Sequence, residues 1–340
     1  MATFIAGSFG ADFDQLNFFS LVTGQVASPG GTSFDIQVGS EVTHVFGGGF
    51  AYGGNGFPAA GTINRLRGDL NGANIYDLSG VSVGAVTFIN WAATSQTELA
   101  KSTLLGAADT FEGSFFADLM RGYGGDDTVH GNAGSDYLDG GAGDDDVFGD
   151  DGNDTVVDSA GSNYLRGGAG DDWVIGGFDF DDAHGNIGND TVEGGFGDDW
   201  VVGGQGNDTL FGDDGGDLVY GQLGSDTASG GTGNDGIAGG QANDSLSGGA
   251  GDDFISGDRG DDTLSGGGGA DTFHSFSGAE IDRILDFSVA EGDRILLDAG
   301  STFTTAQIGG DTVITIGGSA QVTLVGVSMS SLTMGSIVVG

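Results

Sequence analysis

The chain has no cysteine, two prolines and eight basic residues in 340. Without cysteine there can be no disulfide framework and no thiolate metal site, so any staple in this fold must be of another chemistry. With two prolines, and a glycine spacing that is not three, a collagen helix is excluded. Eight Lys and Arg against fifty Asp and Glu give a formal charge of −42, which argues against nucleic acid and anionic membrane as partners. The single lysine, Lys101, leaves no phosphate-binding loop, and no H-E-x-x-H is present to hold a protease zinc. No apolar run is long enough to cross a bilayer as a helix, so no transmembrane segment is expected. The N-terminal stretch MATFIAGSFGADFDQ lacks the basic and apolar regions of a cleavable leader, so export would need another signal.

Glycine, by contrast, is abundant, with 73 residues, and it is phased. Residues 122–274 read as 17 consecutive nonapeptides without insertion or deletion, from G-Y-G-G-D-D-T-V-H to G-G-G-G-A-D-T-F-H. Position six is Asp in 16 units: Asp127, Asp136, Asp145, Asp154, Asp172, Asp181, Asp190, Asp199, Asp208, Asp217, Asp226, Asp235, Asp244, Asp253, Asp262 and Asp271, with Asn163 in the remaining one. Position eight is apolar in every unit, from Val129 and Leu138 to Phe273. Glycines at positions one and four allow the first six residues to turn tightly with carbonyls pointing inward. The last three form a short strand whose middle side chain enters a core while positions seven and nine face water. One such strand cannot bury its apolar face alone, so the units must stack.

Stacking brings the position-six carboxylates about 5 Å apart, where they repel strongly unless a cation sits between them. Carboxylates with backbone carbonyls make a hard, all-oxygen site that suits Ca²⁺ better than Mg²⁺ or Zn²⁺. Seventeen units give 15 pairs of units n and n+2, and one ion per pair would offset about 30 of the 42 negative charges. The acidity therefore reads as ligand supply.

These nonapeptides resemble the RTX repeats, G-G-x-G-x-D-x-U-x, of hemolysin-type calcium-binding proteins exported by bacterial type I secretion. The resemblance implies an all-β fold, a right-handed parallel β-roll with two units per coil, and Ca²⁺ held between the turns of units n and n+2. The sixteen Asp would be the side-chain ligands, loop carbonyls would complete each shell, and about 12 to 15 ions would bind. It also implies the type I secretion apparatus as a partner, an extracellular or cell-surface location, and an uncleaved C-terminal secretion signal.

Four segments follow. Residues 1–103 read as a small β-rich domain, with alternation at 32–38 and 81–89, a hairpin at Asn71-Gly72, a glycine-bounded loop over 47–56 with one short strand, and a linking helix near 96–105 behind the capping box Ser95 to Glu98. Residues 104–121 are two degenerate units, keeping Asp109 and Asp118, that open the roll. Residues 122–274 are the roll. Residues 275–340 form a β cap, with strands at 281–287 and 292–297 and a hairpin around Gly317-Gly318.

Gly80 to Gly84 matches the G-x-S-x-G nucleophile elbow, but in an alternating strand of so glycine-rich a chain such a match arises by chance. His130, His184 and His274 fall at position nine and read as solvated histidines. Asn163 at position six, Asp158 at position one and Asp179 at position four predict weak or distorted sites at 145/163, 163/181 and 181/199. Trp200, Val202, Leu218 and Tyr220 are expected to point outward on adjacent coils, a patch suited to self-association or to another surface component. The functional expectation is a non-enzymatic surface or matrix component, such as a coat, adhesin or filament subunit. The alternative is an enzyme whose active site lies in residues 1–103. A toxin or bacteriocin would need a membrane-active segment that the sequence does not show.

Overall fold

The computed structural model describes residues 106–340 and, before them, the backbone of strands within residues 3–84. The chain forms two compact units, Met1–Tyr164 and Leu165–Gly340.

In the first unit, strands Ser33–Val38, Glu41–Tyr52, Pro58–Leu70 and Ala73–Gly84 run as an antiparallel meander. Leu70 pairs with Ala73, and the Asn71-Gly72 turn expected between them lies outside the described residues. Residues 47–52 are not a loop with a short strand: Glu41–Tyr52 passes through Gly47, Gly48 and Gly49 as one long strand, and residues 53–56 lie outside the described residues. Register shifts after Phe46 and Gly48 show why, since bulges absorb the glycines without ending the pairing. The G-x-S-x-G tract lies inside the strand Ala73–Gly84, with Val83 paired to Ile63. The strand expected over 81–89 is described as far as Gly84; its remainder and the helix near 96–105 lie outside the described residues.

Thr3–Ala6 pairs antiparallel with Ala73–Gly84 and parallel with Thr110–Glu112. From there the coils begin. Thr110–Glu112, Thr128–His130 and Asp146–Gly152 form one parallel ladder, and Leu119–Arg121, Tyr137–Asp139 and Thr155–Val157 form the other. Ladder partners such as Val129 with Val147 and Leu138 with Val156 are separated by two nonapeptides of sequence, which is one coil.

The second unit repeats this arrangement with longer, mostly six-residue strands. Asp182–Ile187, Trp200–Gln205, Leu218–Leu223, Gly236–Gln241, Phe254–Arg259 and Thr272–Ser275 follow one another in parallel. Trp173–Ile175, Thr191–Phe196, Thr209–Asp214, Thr227–Thr232, Ser245–Ala250 and Thr263–Gly268 form the second ladder. The core is the position-eight column, in which every member is at most 2% exposed. Each is boxed in by its partners one coil above and below, so the burial that a single strand cannot achieve is shared along the stack.

Beyond His274 the strands Ile281–Ile284 and Arg294–Leu297 do not pair with each other. Ile281–Ile284 extends the ladder of Thr263–Gly268, and Arg294–Leu297 extends that of Thr272–Ser275. Asp311–Ile316 and Ala320–Leu324 form the hairpin expected around Gly317-Gly318. A further strand, Phe303–Ile308, pairs antiparallel with Asp311–Ile316.

Most position-seven and position-nine side chains are half-buried or exposed, with Val202 an exception at 2%. Its ladder partners His184 and Tyr220 flank it, so the position-nine row shields its own middle member. The three position-nine histidines are not freely solvated either: each lies 2.8–3.2 Å from a carboxylate, His130 from Asp150, His184 from Asp182 and His274 from Asp298. Burial, with Arg166 beside it, lowers His184 to about 4.

Candidate metal centre

All sixteen position-six Asp are buried, at 0–4% exposure. Their carboxylates are fixed by the backbone. In each case that can be followed within a unit, one oxygen accepts the N–H of the position-six residue one coil earlier, as Asp145 does from Asp127 at 2.6 Å, Asp208 from Asp190 at 2.9 Å and Asp271 from Asp253 at 3.0 Å.

The second oxygen behaves differently. In Asp127, Asp136, Asp190, Asp199, Asp208, Asp217, Asp226, Asp235, Asp244, Asp253, Asp262 and Asp271 it is buried and accepts no hydrogen bond. Around Gly122, a Cβ added to the glycine would stand 2.2 Å from the free oxygen of Asp127 and 2.2 Å from the carbonyl oxygen of Gly140, the first glycine one coil later. The same pair of oxygens flanks Gly131, Gly212, Gly221 and Gly248. Position one is therefore glycine because any side chain would fill a cradle lined by oxygens. Two acceptors facing one another with no donor between them fit a hard cation and little else. Among the described residues no three His, Cys, Asp or Glu side chains converge, so backbone carbonyls must supply most of any shell.

Burial drives these carboxyls well above the usual range, Asp127 to about 8, Asp136, Asp208, Asp217, Asp244 and Asp253 to about 7, and Asp190, Asp199 and Asp262 to about 6. A raised carboxyl pKa in the folded state means that the metal-free fold holds protons the unfolded chain would release. That contribution is full below the unfolded value near 4 and is lost as pH rises through about 6 to 8. Metal-free protein should therefore gain β structure when acidified from about pH 8 to about pH 5, whereas calcium affinity should rise with pH over the same interval because the ligands must be ionised. Circular dichroism against pH, with and without calcium, checks both signs; metal-free β content that is higher at pH 8 than at pH 5 would refute the first.

The exceptional positions behave individually. Asn163 accepts the Asp145 N–H at 2.9 Å, and its amide donates to the Gly161 carbonyl at 3.0 Å, so it keeps the backbone staple but offers its nitrogen where its counterparts have oxygen. Asp179 keeps a positive φ, +74°, where the position-four glycines lie between +110° and +157°, so the turn survives the substitution in a conformation a side chain can adopt. Asp181, however, has its second oxygen engaged by the Gly177 N–H at 2.8 Å. The degenerate unit's Asp118 is engaged in the same way, by Ser114 at 2.6 Å.

Two groups of functional residues were not singled out in the sequence, and a third residue was read there only as a defect. Position five is Asp, Asn or Ser in 14 of the 17 units, and its side-chain oxygen accepts the position-five N–H one coil later, as Asp171 does from Asn189 and Asn207 from Ser225, both at 2.8 Å. The two ladders of staples therefore run in opposite directions. The cap continues the position-six ladder through Asp282 and Asp293, which accept from Asp262 and Asp271 at 3.4 and 3.1 Å. The repeated D-R-I-L at 282–285 and 293–296 was the available signal. Asp158 is the third and is taken up below.

The chain matches the family described as RTX calcium-binding nonapeptide repeat (4 copies) over residues 106–138, 121–156, 148–183, 184–219, 211–246, 220–255 and 238–273. The chain belongs to the RTX calcium-binding repeat proteins. Two solved structures similar to it are the extracellular lipase LipA from Serratia marcescens and the AlgE6R3 subunit from the Azotobacter vinelandii mannuronan C5-epimerase. The first is 18% identical with a TM-score of 0.30, covering 69% of this chain and 40% of the lipase. The second is 26% identical with a TM-score of 0.19, covering 47% of this chain and 78% of that subunit. This RTX chain thus spans less than half the length of the lipase. No curated protein matches it in sequence. RTX repeats bind Ca²⁺, and the oxygen cradles of this RTX roll are where the ion fits.

Proposed function

We propose that this RTX protein is exported through a type I secretion apparatus, folds on meeting extracellular calcium, and serves as a non-enzymatic cell-surface or matrix component such as a coat, adhesin or filament subunit. The observation that carries the calcium-folding part is the unpartnered carboxylate oxygen beside a glycine carbonyl, repeated coil after coil. About 12 to 15 bound ions would follow from one ion per pair of turns. The proposed ligands are the sixteen position-six Asp, with Asp181 compromised.

The structural role is supported by the outer face of the second unit. Trp200 and Leu218 are ladder partners on adjacent coils, 42% and 47% exposed, and Phe254, 44% exposed, continues the row beyond Gly236. An apolar row on so acidic a protein suits contact with another copy or another surface component. Replacing Trp200 and Leu218 together by Ser should leave calcium-induced folding intact and lower calcium-dependent self-association, read by light scattering, together with retention at the cell surface. Unchanged scattering and unchanged retention would reject the intermolecular role.

A further inference from the structure

Of the 17 nonapeptides, 16 have Gly at position one and 16 have Asp at position six, and both exceptions, Asp158 and Asn163, fall in the same unit. The structure shows what this double exception does. Around Gly140 the usual cradle is altered: a Cβ there would stand 2.8 Å from the second oxygen of Asp145 and 2.2 Å from the second oxygen of Asp158, which takes the place held elsewhere by a glycine carbonyl. Asp158 is 5% exposed and Asp145 1%. The first oxygen of Asp158 accepts the Ala160 N–H at 2.9 Å, which holds the side chain in place. The second oxygen of Asp145 is buried, accepts no backbone or donor-group hydrogen bond, and lies within hydrogen-bonding reach of the Asp158 carboxyl. The carboxylate missing at Asn163 has thus been relocated rather than lost, and it now faces a second carboxylate.

Resting on the calcium reading above, we propose that Asp145 and Asp158 form a two-carboxylate cation site beside Gly140, tighter than the one-carboxylate cradles around it. Two buried carboxylates face to face repel unless a proton or a cation lies between them, and oxygen sites bind calcium more tightly as ligand charge increases. The side-chain oxygen of Asp158 also replaces a neutral carbonyl by a charged ligand without disturbing the stack, since Gly140 and Gly143 still donate to Val157 and Ala160 across the coils, both at 3.1 Å. The site expected from the sequence to be among the weakest becomes a strong one.

The test is a calcium chloride titration of the full chain by calorimetry after exhaustive chelation, comparing the natural protein with D158N and with the double variant D158G/N163D. D158N keeps the volume and removes the charge, so the highest-affinity class should weaken about tenfold or more and the ion count should fall by one under subsaturating calcium. The double variant restores the repeat consensus; it should keep the full stoichiometry while losing the highest-affinity class, and it covers the case in which D158N fails to fold. Identical high-affinity binding in D158N and the natural protein would overturn the proposal and leave the general calcium reading intact, as would a shared proton that calcium does not displace from the pair. No calcium binding by any of the three proteins would overturn both.

Discussion

Removing calcium from the full chain should unfold the RTX roll, seen in circular dichroism as loss of the β signal in excess chelator at neutral pH and its cooperative return when calcium is added. The roll has sixteen carboxylates at 0–4% exposure, most with a buried oxygen that accepts from no donor. Ionised and without a counter-charge, such rows oppose stacking at every coil. On the other side of the balance stand one buried apolar side chain per nonapeptide, several of them only Ala or Val, and no disulfide. Folding free energy is then largely metal-binding free energy. Extracellular calcium modules bind at about 10⁻⁴ to 10⁻³ M, and the folding midpoint should fall in that range. A full β spectrum at neutral pH with chelator in excess would sink the idea.

The second large effect is expected from one methyl group. At Gly224, φ is +133° and an added Cβ would stand 1.4 Å from the carbonyl oxygen of Gly206, the equivalent position-four glycine one coil earlier. Backbone meets backbone there, so no rotamer change can relieve the overlap. Gly224→Ala should cost about 3 kcal/mol or more, lowering the melting temperature in calcium by about 6 to 12 °C. Gly268→Ala is the control, because nothing lies within 4 Å of its added Cβ and its φ is ordinary; it should melt within about 1 °C of the natural protein. Equal melting temperatures for the two variants would show that the turns are not packed carbonyl against glycine as described.

The roll was legible because each unit repeats its own evidence. The position-eight column had only one way to be buried, and rows of ionised carboxylates at that spacing call for a counter-charge. Features that depend on what a neighbouring coil presents were not legible. Asp158 looked like damage to a turn because its carboxylate meets Asp145 only once the coils are stacked. Position five looked variable because Asp, Asn and Ser are chemically different but offer the same acceptor oxygen to the next coil. Val202 looked exposed by alternation, and its ladder neighbours decided otherwise. The strand Glu41–Tyr52 was hidden by glycines that usually end a strand and here bulge within one.

In the second unit, paired strands of the repeats are always two nonapeptides apart in sequence, Trp200 with Leu218 and Thr209 with Thr227 alike. Length and facing are therefore coupled. Adding or removing one pair of nonapeptides changes the reach of the unit while everything downstream keeps its orientation, and the Trp200–Leu218 row stays on the side where it began. Adding or removing a single nonapeptide leaves every bond type satisfied but turns the downstream part by half a revolution, so that apolar and hydroxyl-bearing faces exchange sides. Recombination between such similar repeats generates both kinds of change, and selection for a continuous outer face would retain the first and discard the second.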